Sequence, residues 1–342
     1  MSENEIETNA QKMVAAGRGI LAADESDGTI KKRFDMINVP STEENRRSYR
    51  EMLFTTKGIE EFISGVILFD ETLRQSAHDG TPFAELLSGL DILPGIKVDK
   101  GAKPLAGAPG ETVTEGLDGL RGRLEEYYGL GARFTKWRAV INIGDGTPTD
   151  YAIHANAHAL ARYAALSQEA SLVPIVEPEV LMDGGHTIER CYEGTEAALK
   201  AVFDELEKQR VHLPGMVLKP NMVLSGKDYP SQADSEEVAA QTVRCLKACV
   251  PDAVPGIAFL SGGQSDEVAT ANLNAMNAMG SHPWELSFSY GRALQSPAIK
   301  GWGGVAANMP EAQKLFYHRC KCNGAARSGS YTEEMEKEVA AA

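Results

Sequence analysis

Eight short runs rich in Val, Ile, Leu and Phe recur along this chain, and each is followed by a longer amphipathic stretch. They run from Gly19 to Ala22, Gly65 to Phe69, Leu93 to Val98, Arg133 to Ile141, Leu172 to Val176, Gly215 to Leu218, Gly256 to Leu260 and Trp284 to Phe288. Such alternation marks βα units around a parallel sheet. The residues at which the runs stop then separate a closed barrel from an open, doubly wound sheet. Those positions hold Asp24, Glu71, Lys97 with Asp99, Lys136 with Arg138, Glu177 with Glu179, Lys219, Ser261, and Ser289 with Arg292. A barrel gathers the C-terminal ends of its strands around one mouth, whereas an open sheet scatters them. The predicted fold class is therefore α/β, a TIM (β/α)8 barrel with a C-terminal helix and a flexible tail. One domain over residues 1–342 is expected, with 1–16 as an N-terminal lead-in and 328–342 as a mobile C-terminal tail.

Helix starts are signalled by a capping box at Ser41-x-x-Glu44, by Thr147 before a proline, and by Thr187, Ser235 and Ser265. Tyr151 to Glu169 has the clearest helical spacing, and a last helix is expected around Glu311 to Cys322. The stretch from Lys100 to Thr114, rich in Gly, Pro and Ala, reads as a long loop after the third strand.

Composition narrows the function. A formal net charge of −14 argues against nucleic acid or an anionic membrane surface as partner. No stretch approaches the roughly 18 apolar residues of a membrane span, and the acidic start does not resemble a targeting peptide, so a cytoplasmic location is expected. The five cysteines include no CxxC pair, which disfavours a disulfide scaffold or a zinc ribbon. Cys320-x-Cys322 has His318 as its only nearby extra ligand, and the pair His154 and His158 lacks a metalloprotease glutamate; no metal and no cofactor are expected.

The chemistry centres on Lys219, which closes the run Gly215-Met216-Val217-Leu218 and is followed by Pro220. A buried ammonium costs several kcal/mol unless it is paired or deprotonated, and a neutral lysine is a nucleophile toward carbonyl carbon. Lys136 is the candidate second cation that lowers its pKa, and Lys136 and Arg138, two apart on a strand, point the same way with Trp137 opposite. Glu177 and Glu179 flank Pro178 as a carboxylate pair suited to proton transfer. Ser261-Gly262-Gly263-Gln264-Ser265 and Gly291-Arg292 follow the seventh and eighth strands, the usual phosphate site of this architecture. Ser26, Thr29, Lys32, Arg33 and Lys97 form a second basic, hydroxyl-bearing group. Two anion sites flanking a lysine imply a substrate phosphorylated at both ends.

The chain resembles class I fructose-1,6-bisphosphate aldolases. The blocks that carry the resemblance include Gly19-Ile20-Leu21-Ala22-Ala23-Asp24-Glu25-Ser26, Gly95-Ile96-Lys97-Val98-Asp99, Lys136-Trp137-Arg138, Val176-Glu177-Pro178-Glu179, Leu218-Lys219-Pro220-Asn221-Met222, Leu260-Ser261-Gly262-Gly263-Gln264-Ser265 and Phe288-Ser289-Tyr290-Gly291-Arg292. It implies a barrel, commonly a homotetramer, that reversibly cleaves fructose 1,6-bisphosphate to dihydroxyacetone phosphate and glyceraldehyde 3-phosphate without metal. It also implies roles: Lys219 forms the Schiff base, and Glu177 moves protons with support from Lys136 and Glu179. Asp24 takes the C4 hydroxyl proton. Ser261, Gly262, Gly291 and Arg292 would hold the C1 phosphate, Ser26, Thr29, Lys97 and Arg33 the C6 end, and Ser289 would line the site. Thr29 stands where many members have serine. Animal members use a terminal tyrosine to protonate the enamine; with no tyrosine after Tyr331 here, Tyr331, Glu177 or water is expected instead. Two alternatives stay open: a Schiff-base enzyme for another sugar phosphate such as sedoheptulose bisphosphate, and a binding or scaffold protein.

Overall fold

The computed structural model describes residues 3–341. Its centre is a closed barrel of eight parallel strands: β1 (Gly19–Ala23), β2 (Ile63–Leu68), β3 (Leu93–Lys97), β6 (Phe134–Ile141), β7 (Val173–Val180), β8 (Val217–Leu218), β9 (Gly256–Phe259) and β10 (Glu285–Tyr290), in the order β1-β10-β9-β8-β7-β6-β3-β2. Two further strands, β4 (Ala102–Pro104) and β5 (Thr112–Thr114), pair antiparallel. The stretch read as a long loop from Lys100 to Thr114 is thus a short hairpin. Its strands of three residues are too brief for alternation to reveal them against the surrounding Gly and Pro.

Period-two alternation along each barrel strand builds the lumen in layers. Its floor is apolar, with Ile20, Leu93, Phe134, Val173, Val217 and Ala258 in one cluster. Two residues further along the same faces, Phe134 gives way to Lys136 and Val217 to Lys219; Glu177 follows Ile175, and Asp24 follows Ala22. Trp137, on the outer face of β6 as expected, stacks on Tyr163 with ring centroids 5.5 Å apart. The lead-in is a helix, Glu3–Met13, whose Ile6, Ala10 and Met13 join the floor cluster and stopper the barrel from below. Residues 1 and 2 of that lead-in, and residue 342 of the tail, lie outside the described residues.

Space for the Phe134 ring comes from glycine on the neighbouring strand. A Cβ at Gly95 would stand 2.1 Å from the ring. Gly95→Ala is accordingly expected to destabilise the fold by about 2–3 kcal/mol through overpacking, read as a lower denaturant midpoint at unchanged slope.

Three helix starts differ from expectation. Thr42, rather than Ser41, caps Glu43–Phe54 by accepting from Asn45 N at 3.1 Å. Thr149, beyond Thr147 and Pro148, caps Asp150–Glu169, and its hydroxyl also donates to Glu111 at 2.6 Å. Asp234 caps Ser235–Cys249 instead of Ser235, a carboxylate being a stronger acceptor for the free N–H groups than a hydroxyl. Thr187 and Ser265 are the caps expected.

The C-terminal helix is longer than expected, Met309–Ala326, and residues beyond it fold back onto its surface. Tyr331 N donates to Asn274 Oδ1 at 2.9 Å, and the 3-10 helix Glu333–Ala341 sets Glu336 against Arg319 and Glu338 against Lys321.

Candidate active site

The C-terminal ends of the barrel strands surround a cavity of about 1150 Å³. It is lined by Asp24, Ser26, Thr29, Arg33, Lys97, Lys136, Arg138, Glu177, Glu179, Lys219, Ser261, Gly262, Ser289, Gly291 and Arg292, whereas Lys32, which is exposed on the helix after β1, and Gly263, Gln264 and Ser265 of the loop after β9 do not line it. Gly263 backs onto Met182 instead, where a Cβ would stand 2.7 Å from the sulfur.

Four barrel strands, β1, β6, β7 and β8, put the central charges in contact. Lys219 Nζ lies 3.3 Å from Glu177 Oε1, while Lys136 Nζ lies 2.9 Å from Glu177 Oε2 and 3.1 Å from Asp24 Oδ2. Lys219, Lys136 and Glu177 are each at most 5% exposed. The register explains the meeting, since β6 and β7 pair Lys136 with Ile175 and Arg138 with Glu177, and Lys219 N bonds Val176 O. Arg138 pairs with Glu179 just above.

The two lysines share this space but are held in opposite states. Burial pushes the pKa of Lys219 below the ordinary lysine value; Glu177 opposes that, and the nearby Lys136 ammonium adds to it. Burial acts against Lys136 too, yet Asp24 and Glu177 together outweigh it and hold that ammonium well above the usual range. Asp24, which burial alone would raise, is held well below the usual carboxylate range by Lys136, Lys219 and Lys97 in turn. The cluster therefore offers a lysine biased toward the free amine, a fixed cation and an ionised carboxylate.

Around it lie the anion handles. Gly262 takes a left-handed φ of 53°, and Arg292 Nη2 ties the β9 and β10 loops together by donating to Gly262 O at 2.9 Å and Gln264 O at 2.6 Å. Gly291 opens the helix Arg292–Trp302, whose N-terminus has no side-chain cap, so its first turn can face an anion. Ser289 Oγ is buried without a hydrogen-bond partner among the described residues, so this wall offers an oxygen contact to a ligand. Ser26 precedes the helix Asp27–Asp35, with its hydroxyl 3.3 Å from that of Thr29. Lys97 is paired with Asp99. Arg33 stands beside Gly291, because β1 and β10 are neighbours in the barrel.

One supporting layer was not legible in the sequence. Glu25 pairs with Arg33 at 2.5 Å and with Arg50 at 2.8 Å, and accepts from Gln295 Nε2 at 3.0 Å. Gln295 in turn bonds Ala22 O and Tyr49. These residues come from distant segments and share no spacing; the one available signal was that Glu25, next to Asp24, must face away from the lumen.

A barrel whose mouth joins a pKa-lowered lysine to an acid–base carboxylate and to phosphate handles defines a lysine-dependent carbon–carbon lyase of phosphorylated sugars. The family model described as fructose-bisphosphate aldolase class-I matches residues 5–342. A probable fructose-bisphosphate aldolase class 1 of Xanthomonas campestris pv. campestris is 59% identical over 332 residues, covering 97% of this chain and 99% of that protein. The cytosolic fructose-bisphosphate aldolase 4 of Arabidopsis thaliana is 54% identical, over 97% of this chain and 85% of that one. Among solved structures, fructose-bisphosphate aldolase from Plasmodium falciparum, crystallised with TRAP and a small-molecule inhibitor, is 51% identical with a TM-score of 0.95, over 96% and 95% of the two chains. The chain belongs to the class I fructose-bisphosphate aldolase family. Its activity is that of the family, metal-independent and reversible cleavage of fructose 1,6-bisphosphate through a lysine Schiff base.

Proposed function

We propose that Lys219 is the Schiff-base lysine, Glu177 its proton carrier and Asp24 the base at C4. The observation that carries this is the contact chain Lys219–Glu177–Lys136–Asp24 at the cavity floor, with spacings of 3.3, 2.9 and 3.1 Å. The free amine of Lys219 attacks the C2 carbonyl, and Glu177 gives a proton to the departing hydroxyl, so water leaves and a protonated imine forms. The C3–C4 bond then breaks with its electron pair flowing into that imine, while Asp24 takes the C4 hydroxyl proton and glyceraldehyde 3-phosphate departs. The enamine picks up a proton, and hydrolysis frees dihydroxyacetone phosphate and Lys219.

The low basicity of Asp24 fits this order. Much of it comes from the neighbouring cations, and bond cleavage converts the cationic imine to a neutral enamine. One positive charge beside Asp24 is thereby cancelled as the proton arrives, which raises its affinity for that proton.

Ser261, Gly262, Gly291, Arg292 and Ser289 serve the C1 phosphate end in this reading, with Arg33 beside them, and Ser26, Thr29 and Lys97 serve the C6 end. Arg138 supports Glu179, and both keep Glu177 oriented. Tyr331 does not line the cavity but bonds Glu336 through its hydroxyl at 2.9 Å, which favours Glu177 or water for enamine protonation. The protein works as one domain in a homotetramer in the cytoplasm, a location matching the relatives named cytosolic. Among the described residues no helix is long and apolar enough to cross a membrane. Sedimentation velocity tests the tetramer. Borohydride with fructose 1,6-bisphosphate, followed by peptide mass mapping, tests the nucleophile: the adduct belongs on the peptide carrying Lys219, and an adduct on Lys136 instead reverses the assignment.

A further inference from the structure

Away from the mouth, His318 and Cys322 lie one turn apart on the helix Met309–Ala326, and the tail brings Glu336 over them. His318 Nε2 is 3.5 Å from Cys322 Sγ and 3.6 Å from Glu336 Oε2, and all three donor atoms lie within 4.8 Å of one another. Ligand bonds of about 2.0–2.3 Å to a tetrahedral zinc ion put neighbouring donor atoms roughly 3.3–3.8 Å apart. The two distances from His318 are thus those of donors around one cation.

We propose that His318, Cys322 and Glu336 form a site for a divalent cation of zinc type, which clasps the C-terminal segment to the last helix. An imidazole, a thiolate and a carboxylate suit such an ion, and with Arg319 already paired to Glu336 the loaded cluster carries one net positive charge. Binding displaces the Cys322 proton to solvent, as thiolate ligation requires. The other oxygen of Glu336 is already held by Arg319 and by the Tyr331 hydroxyl, the outer contact that orients a carboxylate ligand. Of the three donors His318 lines a groove of about 500 Å³ with Tyr317, Lys321 and Glu338, while Cys322 is fully buried, so the cluster opens to solvent on the imidazole side. Cys320 is not part of the site; the third ligand comes from the tail, where no spacing rule links it to Cys322.

The test uses the full-length protein, stripped with a chelator, and cobalt(II) as probe. One equivalent should produce a thiolate-to-cobalt absorption band with the strong visible bands of a tetrahedral ion, and zinc should displace it. Cys322→Ser should abolish the band, whereas Cys320→Ser and Cys249→Ser should keep it. Glu336→Gln, which changes only the tail, should weaken binding at least tenfold, and Tyr331→Phe about tenfold through the outer contact. Zinc should also slow proteolysis beyond Ser330 in the unsubstituted protein but not in Glu336→Gln. No band at stoichiometric cobalt, or a band unchanged in Cys322→Ser or Glu336→Gln, overturns the site.

Discussion

Lys219→Met is expected to lower cleavage of fructose 1,6-bisphosphate by roughly 10⁵-fold or more, the scale seen when a covalent nucleophile is removed. Borohydride trapping should vanish with it. Methionine fills nearly the same buried volume, and Glu177 keeps its ion pair with Lys136 at 2.9 Å, so no charge is stranded by the change. Thermal stability should hold or rise, since the substitution replaces a buried amine, whose charged form burial disfavours, with an apolar side chain of similar size. Affinity for a non-reacting bisphosphate should stay near that of the unsubstituted protein, because the handles around Arg292, Gly262 and Ser289 are untouched. Retained binding and fold beside lost turnover would separate chemistry from structure. Activity within tenfold of the unsubstituted protein would remove Lys219 from the mechanism.

What could be read before folding was the part governed by short-range periodicity. Lys136 and Lys219 each follow an apolar lumen residue by two positions, Phe134 and Val217, so alternation alone sends their side chains into the barrel once the strands are recognised. Closure then does the rest, because eight strand ends share one rim. Contacts set by the packing of separate crossovers were not legible. Arg33 was grouped by chain proximity with Ser26 and Thr29, yet the neighbouring of β1 and β10 brings it to Gly291, and the Glu25 contacts that hold it there span three segments. Gly263 looked like its neighbour Gly262, but only Gly262 lines the cavity. Caps slipped by one residue where two hydroxyls, or a hydroxyl and a carboxylate, stand next to each other, as at Ser41 and Thr42 or Asp234 and Ser235, and by two where Pro148 separates Thr147 from Thr149. The site formed by His318, Cys322 and Glu336 was hidden for the same reason as the Glu25 layer: its third member arrives by a fold-back of the chain.

Lys136→Met should cost about 10²–10⁴ in turnover at neutral pH, the range for losing a partner in acid–base catalysis, and the loss should shrink as pH rises. Lys219 attacks only as the free amine, so a lower pKa lets it react at lower pH. The Lys136 ammonium contributes to that lowering, and Glu177 and Asp24 oppose it. Without Lys136, both carboxylates lose their nearest cation and act on Lys219 alone. The Lys219 pKa must then rise, and the acid limb of trapping and of kcat/KM moves to higher pH. Asp24 moves the same way, back toward the ordinary carboxylate range, since Lys136 is the largest influence holding it down. Lys136→Arg keeps the charge and should leave the limb close to its original position even if the altered shape costs turnover. An acid limb that stays in place in Lys136→Met, with a loss of equal size at every pH, would mean that Lys136 positions Glu177 without tuning the nucleophile.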